Sequence, residues 1–581
     1  MLLPLLAAAV LAAGPEPLAT TAEQTRWKKT GRYDEVERLC AAFEKRFPGK
    51  ARCSTFGTTP EGRALKVLVA SESGALDAAS ARKKGVPAVL FQGGIHAGEI
   101  DGKDAGFQVL RGLLEGTLAP GALRQVVAVF VPVLNADGHE RFGAHNRPNQ
   151  VGPEEMGWRT SSRNLNLNRD YVKADAPETQ ALLRLLHAWD PLVYLDLHVT
   201  DGANFQPDVS VMMEPVHVGP DGMKQAGKQL LDDVVKGLEA NGHKPLTFYP
   251  AFQKDDDPSS GFAQGVAPPR FSSAYWSAHH RWGVLVETHS WKDYATRVRA
   301  THDTVLAFLL LVGKQGAALR RAAADADDGM KRMGGEPVTL TWGDGKHSVM
   351  MAFPGYAYTR EPSPISGAVR VRYDPTRPTT WTVPFFPEPV PEMQVDAPRG
   401  GYVVPPGWAG VVRERLDLHA IRYTTVAAAR PAMKCRQFRM KEPVFRPVPY
   451  EGRQTVAVKG EWEDASVPVA AGSLYVPVAQ PAGLMVLHLF EPRAPDSFVS
   501  WGFFSAVLEQ KEYMEPYVAE QVAEQLLQDD PALRDEFMRK LVDDPVFAKD
   551  PAARLDFFYR RHPSFDRAMN LYPVLRTDGA P

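Results

Sequence analysis

In the stretch FQGGIHAGEIDG (residues 91–102), His96 and Glu99 stand three positions apart directly after an apolar run. An imidazole and a carboxylate at that spacing, after a strand end and at the opening of a helix, point into one space and suit zinc. A hydrolytic zinc centre needs about three protein ligands and an open position for water, and such a pair also arises by chance on solvated helix faces. Its company decides the reading. His198 ends the apolar run LVYLDLH (192–198), at the carboxyl edge where open α/β sheets place their sites. Glu287 ends another, GVLVE (283–287), where a carboxylate needs a partner or a catalytic task. Between them, RTSSRNLNLNRDY (159–171) brings Arg159, Arg163, Asn168 and Arg169 toward the same edge. Together these groups are the parts of a metal-dependent hydrolase of peptide-like bonds.

The elements that must hold these residues follow from periodicity. Tyr33, Val36, Leu39, Phe43 and Phe47 recur at three- and four-residue steps, predicting an amphipathic helix over 27–47 stopped by Pro48-Gly49. Strands are predicted over 51–57, 64–70, 88–92, 126–135, 192–198 and 283–287, with helices over about 101–114, 177–189, 222–241 and 298–330. That alternation predicts an α/β fold with a mixed, mostly parallel sheet and helices on both faces. After Gly334, short strand-like runs broken by prolines predict an all-β domain, sandwich-like, over 335–490. A mainly helical C-terminal region is expected over 491–581. There Asp530-Pro531, Asp544-Pro545 and Asp550-Pro551 each set a capping Asp before a Pro, so these carboxylates read as helix starts. Phe498, Trp501 and Phe504, at three-residue steps, read as a core seam.

The apolar run from Leu2 to Ala13 is too short to span a bilayer and ends in small residues. It fits a secretory signal cleaved after Ala12 or Ala13. A signal peptide is therefore expected over 1–22, a catalytic domain over 23–334, and an exported protein, periplasmic or secreted. Lys+Arg of 67 against Asp+Glu of 69, with no basic tail, argues against nucleic acid as a partner. No stable membrane insertion is expected, and the run 305–312, short and flanked by charge, reads as a buried helix. Export would allow Cys40 to pair with Cys53, leaving Cys435 free; three buried thiols are the other reading.

From about residue 30 to 315 the chain resembles the zinc carboxypeptidases, the carboxypeptidase A-like M14 metallopeptidases. The matching pieces are Thr59-Pro60-Glu61-Gly62-Arg63, His96-Ala97-Gly98-Glu99 and Asn135-Ala136-Asp137-Gly138. Arg159 with Asn168-Arg169 follows, then His198 and Glu287 at strand ends. The resemblance implies one Zn²⁺ ion bound by His96, Glu99 and His198, with Glu287 as general base. Arg159 would steady the oxyanion, with Arg163 as a competitor, and Asn168 and Arg169 would hold the terminal carboxylate of a peptide or protein substrate with a free C-terminus. A metallocarboxypeptidase is thus expected. Relatives that hydrolyse peptidoglycan stem peptides or acyl-amino acids supply a second enzyme reading, and a catalytically silent binding protein a third. The chain departs from the pattern at Asn166, where many relatives carry Asp; an amide oxygen there would orient a His ligand without charge. Tyr249 and Tyr275 both fall in the interval of the family's phenolic residue. His145, His279, His280 and His289 read as ordinary loop or surface histidines.

Overall fold

The computed structural model of the protein describes residues 18–581; the predicted cleavage sites at Ala12 and Ala13 lie outside the described residues. Leu18, Thr20 and Ala22 are buried and the Leu18 carbonyl accepts a hydrogen bond from Arg111, so the folded part begins before the boundary expected at residue 22.

The first part of the chain forms β1 (Ala51–Thr58), β2 (Ala64–Ala70), β3 (Ala88–Gly93), β4 (Val127–Val131), β5 (Val193–Thr200), β6 (Val209–Glu214), β7 (Pro245–Leu246), β8 (Phe262–Ala263) and β9 (Trp282–His289). All but β8 join one sheet of order β1-β2-β4-β3-β5-β9-β6-β7. Its middle, β4-β3-β5-β9, is parallel, while β2, β6 and β7 run against it, which is the mixed sheet expected. Side chains alternate between two cores. Leu68, Val89, Phe91 and Phe130 face the helices Tyr33–Arg46, Asp101–Glu115, Asp221–Ala240 and Tyr294–Gly329. Val67, Val69, Leu90, Val129 and Tyr194 face the helix Pro177–Trp189. Strands buried on both sides need both faces covered, and the hydrophobic runs of the sequence record that requirement. The strand expected over 126–135 stops at Val131, before Pro132, which has no amide hydrogen to give the ladder.

The later strands are β10 (Pro337–Gly343), β11 (Val349–Pro362), β12 (Val369–Phe386), β13 (Val390–Asp396), β14 (Gly401–Val404), β15 (Thr424–Thr425), β16 (Arg430–Phe438), β17 (Lys441–Phe445), β18 (Val456–Lys459), β19 (Trp462–Val469), β20 (Leu474–Pro477) and β21 (Leu575–Thr577). They are spread over four sheets rather than one sandwich. β10 pairs with β13, β17 with β18, and β11 and β12 form a long hairpin whose base adds to β8. The rest form a six-stranded sheet of order β15-β20-β14-β21-β16-β19, so the helical C-terminal region lends it one strand. Tyr402, Phe438, Phe490, Trp501 and Tyr572 share one buried cluster with Val129 and Leu186, and the two halves of the chain therefore have a core in common. Phe498, Trp501 and Phe504 are buried in it as expected. Asp530, Asp544 and Asp550 cap helices that start at Pro531, Pro545 and Pro551. Cys40 and Cys53 form a disulfide between the helix Tyr33–Arg46 and β1, and Cys435 is free and buried.

Two buried ionic contacts set the frame around the site. Arg297 is fully buried; its Nε donates to Asp101 Oδ2 at 3.0 Å, and its terminal nitrogens donate to the Val151 and Gly152 carbonyls. Thr288 Oγ1 donates to the same Asp101 oxygen at 2.7 Å, so the helix start beside Glu99 is tied to the strand end at Glu287. Arg297→Met is expected to destabilise the fold by about 3–5 kcal/mol, read as a lower urea midpoint, because Asp101 stays buried without its partner.

His243 lies between Asp208 (Nδ1 to Oδ2, 2.7 Å) and Asp303 (Nε2 to Oδ2, 3.0 Å), and these two hydrogen bonds push its pKa up to about 9. The folded value exceeds the unfolded one of about 6.5. The stabilisation is therefore complete below about pH 6.5 and lost as pH rises through about 9. His243→Gln is expected to lower stability by on the order of 2 kcal/mol at pH 6 and by much less at pH 10, measured by chemical denaturation.

Candidate metal centre

The turn after β3 carries His96 and Glu99 and leads into the helix Asp101–Glu115. Gly94 takes φ 61°, the left-handed region that favours glycine, and a Cβ on Gly98 would stand 2.7 Å from the Gly157 carbonyl oxygen. β5 and β9 are parallel neighbours in which His198 pairs with Glu287, so two strand ends deliver the second imidazole and the second carboxylate side by side.

His96 Nδ1 lies 3.0 Å from Glu99 Oε1, and His198 Nδ1 lies 2.9 Å from Glu99 Oε2. One ligand atom from each of the three buried residues falls within 4.8 Å of the others. The far ring nitrogens are engaged elsewhere: His96 Nε2 at 3.0 Å from Asn166 Oδ1, His198 Nε2 at 2.7 Å from Asp196 Oδ2. Such outer partners fix the ring orientation and leave each Nδ1 as the inward-facing donor. Two imidazoles and one carboxylate arranged this way fit a zinc ion. Asn166 orients His96 through an amide oxygen, as the departure from the family pattern implies, and that oxygen also accepts the Asn168 N–H at 3.0 Å.

Burial opposes ionisation of Glu99, yet His96, Arg147 and His198 outweigh it and hold its carboxyl well below the usual range. Glu287 is placed differently. Burial pushes its pKa up to about 8, with His198 opposing and Glu99 and Asp196 adding to the rise. Its Oε2 is buried and has no hydrogen-bond partner among the described residues.

A cavity of about 450 Å³ opens beside this cluster, lined by His96, Arg159, Asn168, Arg169, Tyr249 and Glu287. Met213, Val266 and Leu285 contribute an apolar wall. Arg159 donates to Glu99 Oε1 at 3.3 Å. Asn168 Nδ2 lies 3.4 Å from His198 Nε2, and its Oδ1 accepts the Ser272 N–H at 3.0 Å. The Arg169 guanidinium donates to the Asn168 carbonyl at 2.8 Å and lies 4.1 Å over the Phe271 ring.

Arg163 is not brought to the cavity; it is exposed in the turn where Asn164 takes φ 57°. Of the two tyrosines, Tyr249 lines the cavity with its hydroxyl 3.4 Å from Thr200 Oγ1. Tyr275 is buried elsewhere, bonded to His187 and His419 at 2.9 and 3.0 Å. His145 is exposed, and His279 and His280 lie in the turn that follows the helix Ser272–Ser277. His280 and His289 are buried, His289 stacked on Phe205 at 3.9 Å, and His279 packs against His187, Tyr275 and Trp276. Two residues of the site escaped sequence reasoning. Asp196 was findable, since a position two before His198 on a strand shares its face. Arg147, with a terminal nitrogen 2.9 Å from Glu99 Oε1, sits in a loop without periodic signal.

Residues 36–209 match the family model of the zinc carboxypeptidases, peptidase M14. The matched stretch includes His96, Glu99, Arg159, Asn168, Arg169 and His198 and ends before Glu287. Among solved structures, a metallo-carboxypeptidase from Burkholderia cenocepacia is 16% identical over 48% of this chain and 69% of its own, with a TM-score of 0.35. Carboxypeptidase A from Helicoverpa armigera is 17% identical over 52% of this chain and 75% of its own, with a TM-score of 0.35. Bovine thrombin-activatable fibrinolysis inhibitor, solved with a tick carboxypeptidase inhibitor, is 12% identical over 51% of this chain and 99% of its own, with a TM-score of 0.36. No curated protein sequence matches the chain significantly. No helix among the described residues is long and apolar enough to cross a membrane.

Proposed function

We propose that the protein is an exported, zinc-dependent metallocarboxypeptidase that removes C-terminal residues from peptides or proteins. The observation that carries this reading is the convergence of His96, Glu99 and His198 beside a cavity lined by His96, Glu287 and the Asn168-Arg169 pair. Zinc held by these three ligands supplies a water of lowered pKa and a Lewis acid for the scissile carbonyl.

The chain's own residues do the remaining work. Glu287, with one carboxylate oxygen free of partners, takes the proton of the attacking water and returns it to the leaving nitrogen. Arg159 presents a guanidinium to the oxygen on which charge develops. Arg169 and Asn168 offer a planar fork and an amide to the substrate's terminal carboxylate, and Phe271 keeps the guanidinium flat beneath it. The Cys40–Cys53 disulfide supports export, because such bonds persist in oxidising compartments.

The test is incubation of the zinc-loaded protein with a mixed peptide library, followed by mass spectrometry. Stepwise shortening from the C-terminus is expected. Shortening from the other end, internal cleavage, or turnover of acyl-amino acids and peptidoglycan stem peptides alone would overturn the assignment.

A further inference from the structure

We propose that the hairpin turn 450–453, which lies outside the matched family stretch, is a positioning element that sets segment 166–175 for substrate carboxylate and metal. The proposal rests on the reading above, in which Arg169 binds substrate and His96 binds zinc. Tyr450 and Arg453 exchange backbone hydrogen bonds of 2.9 and 3.0 Å around Glu451 (φ 49°) and Gly452 (φ 78°), the two-residue turn of left-handed residues that closes tight hairpins. Its tip meets the segment. Glu451 Oε2 accepts the Asn166 N–H at 2.8 Å, and the side chain of that same Asn166 holds His96 Nε2. Tyr450 lies near the Arg169 guanidinium, and its ring is itself stacked on Trp501. Arg453 grips Asp175 through two contacts of 2.6 Å.

Two further groups from the same half of the chain complete the grip. Arg415 Nε donates to the Lys173 carbonyl at 2.7 Å, and His419 Nε2 lies 2.9 Å from the Val172 carbonyl. Apart from one short 3₁₀ turn, Leu167–Arg169, segment 166–175 has no regular structure of its own. Backbone groups not paired within the segment, among them the Asn166 N–H and the Val172 and Lys173 carbonyls, find partners elsewhere, and a residue that has to meet a planar carboxylate needs its neighbours fixed. The second half of the chain supplies both, so Glu451 and Tyr450 act on substrate and metal through Asn166 and Arg169 without touching either.

The full-length protein is compared with Tyr450→Phe, Glu451→Ala and Glu451→Gln. Tyr450→Phe is expected to raise KM for a peptide with a free C-terminus about ten-fold, with kcat within about two-fold. Glu451→Ala is expected to weaken zinc retention during dialysis against a chelator about ten-fold and to speed hydrogen exchange at the Asn166 amide by a similar factor. Glu451→Gln, whose amide oxygen still accepts, should restore most of both. A turn that only braces the fold would lower the melting temperature of these variants and leave KM, zinc retention and Asn166 exchange unchanged, and that result overturns the proposal. If the unmodified protein cleaves no peptide with a free C-terminus, the carboxypeptidase reading fails on its own, and the zinc and exchange measurements still decide the role of the turn.

Discussion

Replacing Glu287 by glutamine is expected to lower kcat on a free-C-terminus peptide by about a thousand-fold while zinc stays bound. The carboxamide keeps the shape of the side chain, so the cavity wall is preserved, but it cannot take up the water proton. Glu287 is not one of the three converging donors, so the metal content should not change. The substitution also makes a stability prediction of opposite sign to its effect on rate. In the metal-free protein the carboxyl titrates near 8, above the unfolded value of about 4.3. Ionised Glu287 therefore destabilises the folded state progressively between about pH 4.3 and 8. At pH 8 the metal-free glutamine variant should be at least as stable as the parent, a site residue retained for chemistry at the expense of the fold. Full hydrolysis by the variant would remove Glu287 as the base, and loss of zinc would make it a ligand instead.

Arg169→Ala is expected to raise KM for peptides with a free C-terminus about a hundred-fold, from the loss of a charge-assisted bidentate contact in a cavity. Arg169→Lys should recover little of this, since an ammonium restores the charge without the planar fork or the contact with Phe271. The decisive comparison uses pairs of peptides that differ only in a terminal acid or amide. The parent should prefer the acid strongly, and the alanine variant should show most of that preference gone. Equal cleavage of acid and amide by the parent would sink the carboxypeptidase reading, whatever the variant does.

The parts of the site that lie on strands were legible because the sheet imposes its own signature. His198 and Glu287 each close an apolar run, and buried polar residues in such runs stand out. Segment 159–171 showed through its chemistry alone, and this is where the reading of Arg163 parted from the structure. Spacing in a loop does not tell which guanidinium turns inward. β6 was missed because VSVMME is short and lacks a period-2 alternation, although Met213 from that strand lines the cavity. His289 was read as an ordinary loop or surface histidine because burial at a strand end depends on what packs there, in this case Phe205. Glu451 was beyond reach: its partner Asn166 is 285 positions away, and no local pattern marks a residue whose role is set by docking between distant segments.

The shared core also orders events in time. β21 pairs with β14 and β16, which are made far earlier in synthesis. A chain emerging from its N-terminus at roughly 5–20 residues per second leaves exposed the apolar surface that the second half covers in the shared core until that half has been made. Such a face invites chaperones or aggregation in the interval. Arg415, Glu451 and Arg453 can reach their partners in 166–175 only after the chain has been made as far as these residues. Completion of the six-stranded sheet thus waits on a strand of three residues that lies almost at the end of the chain.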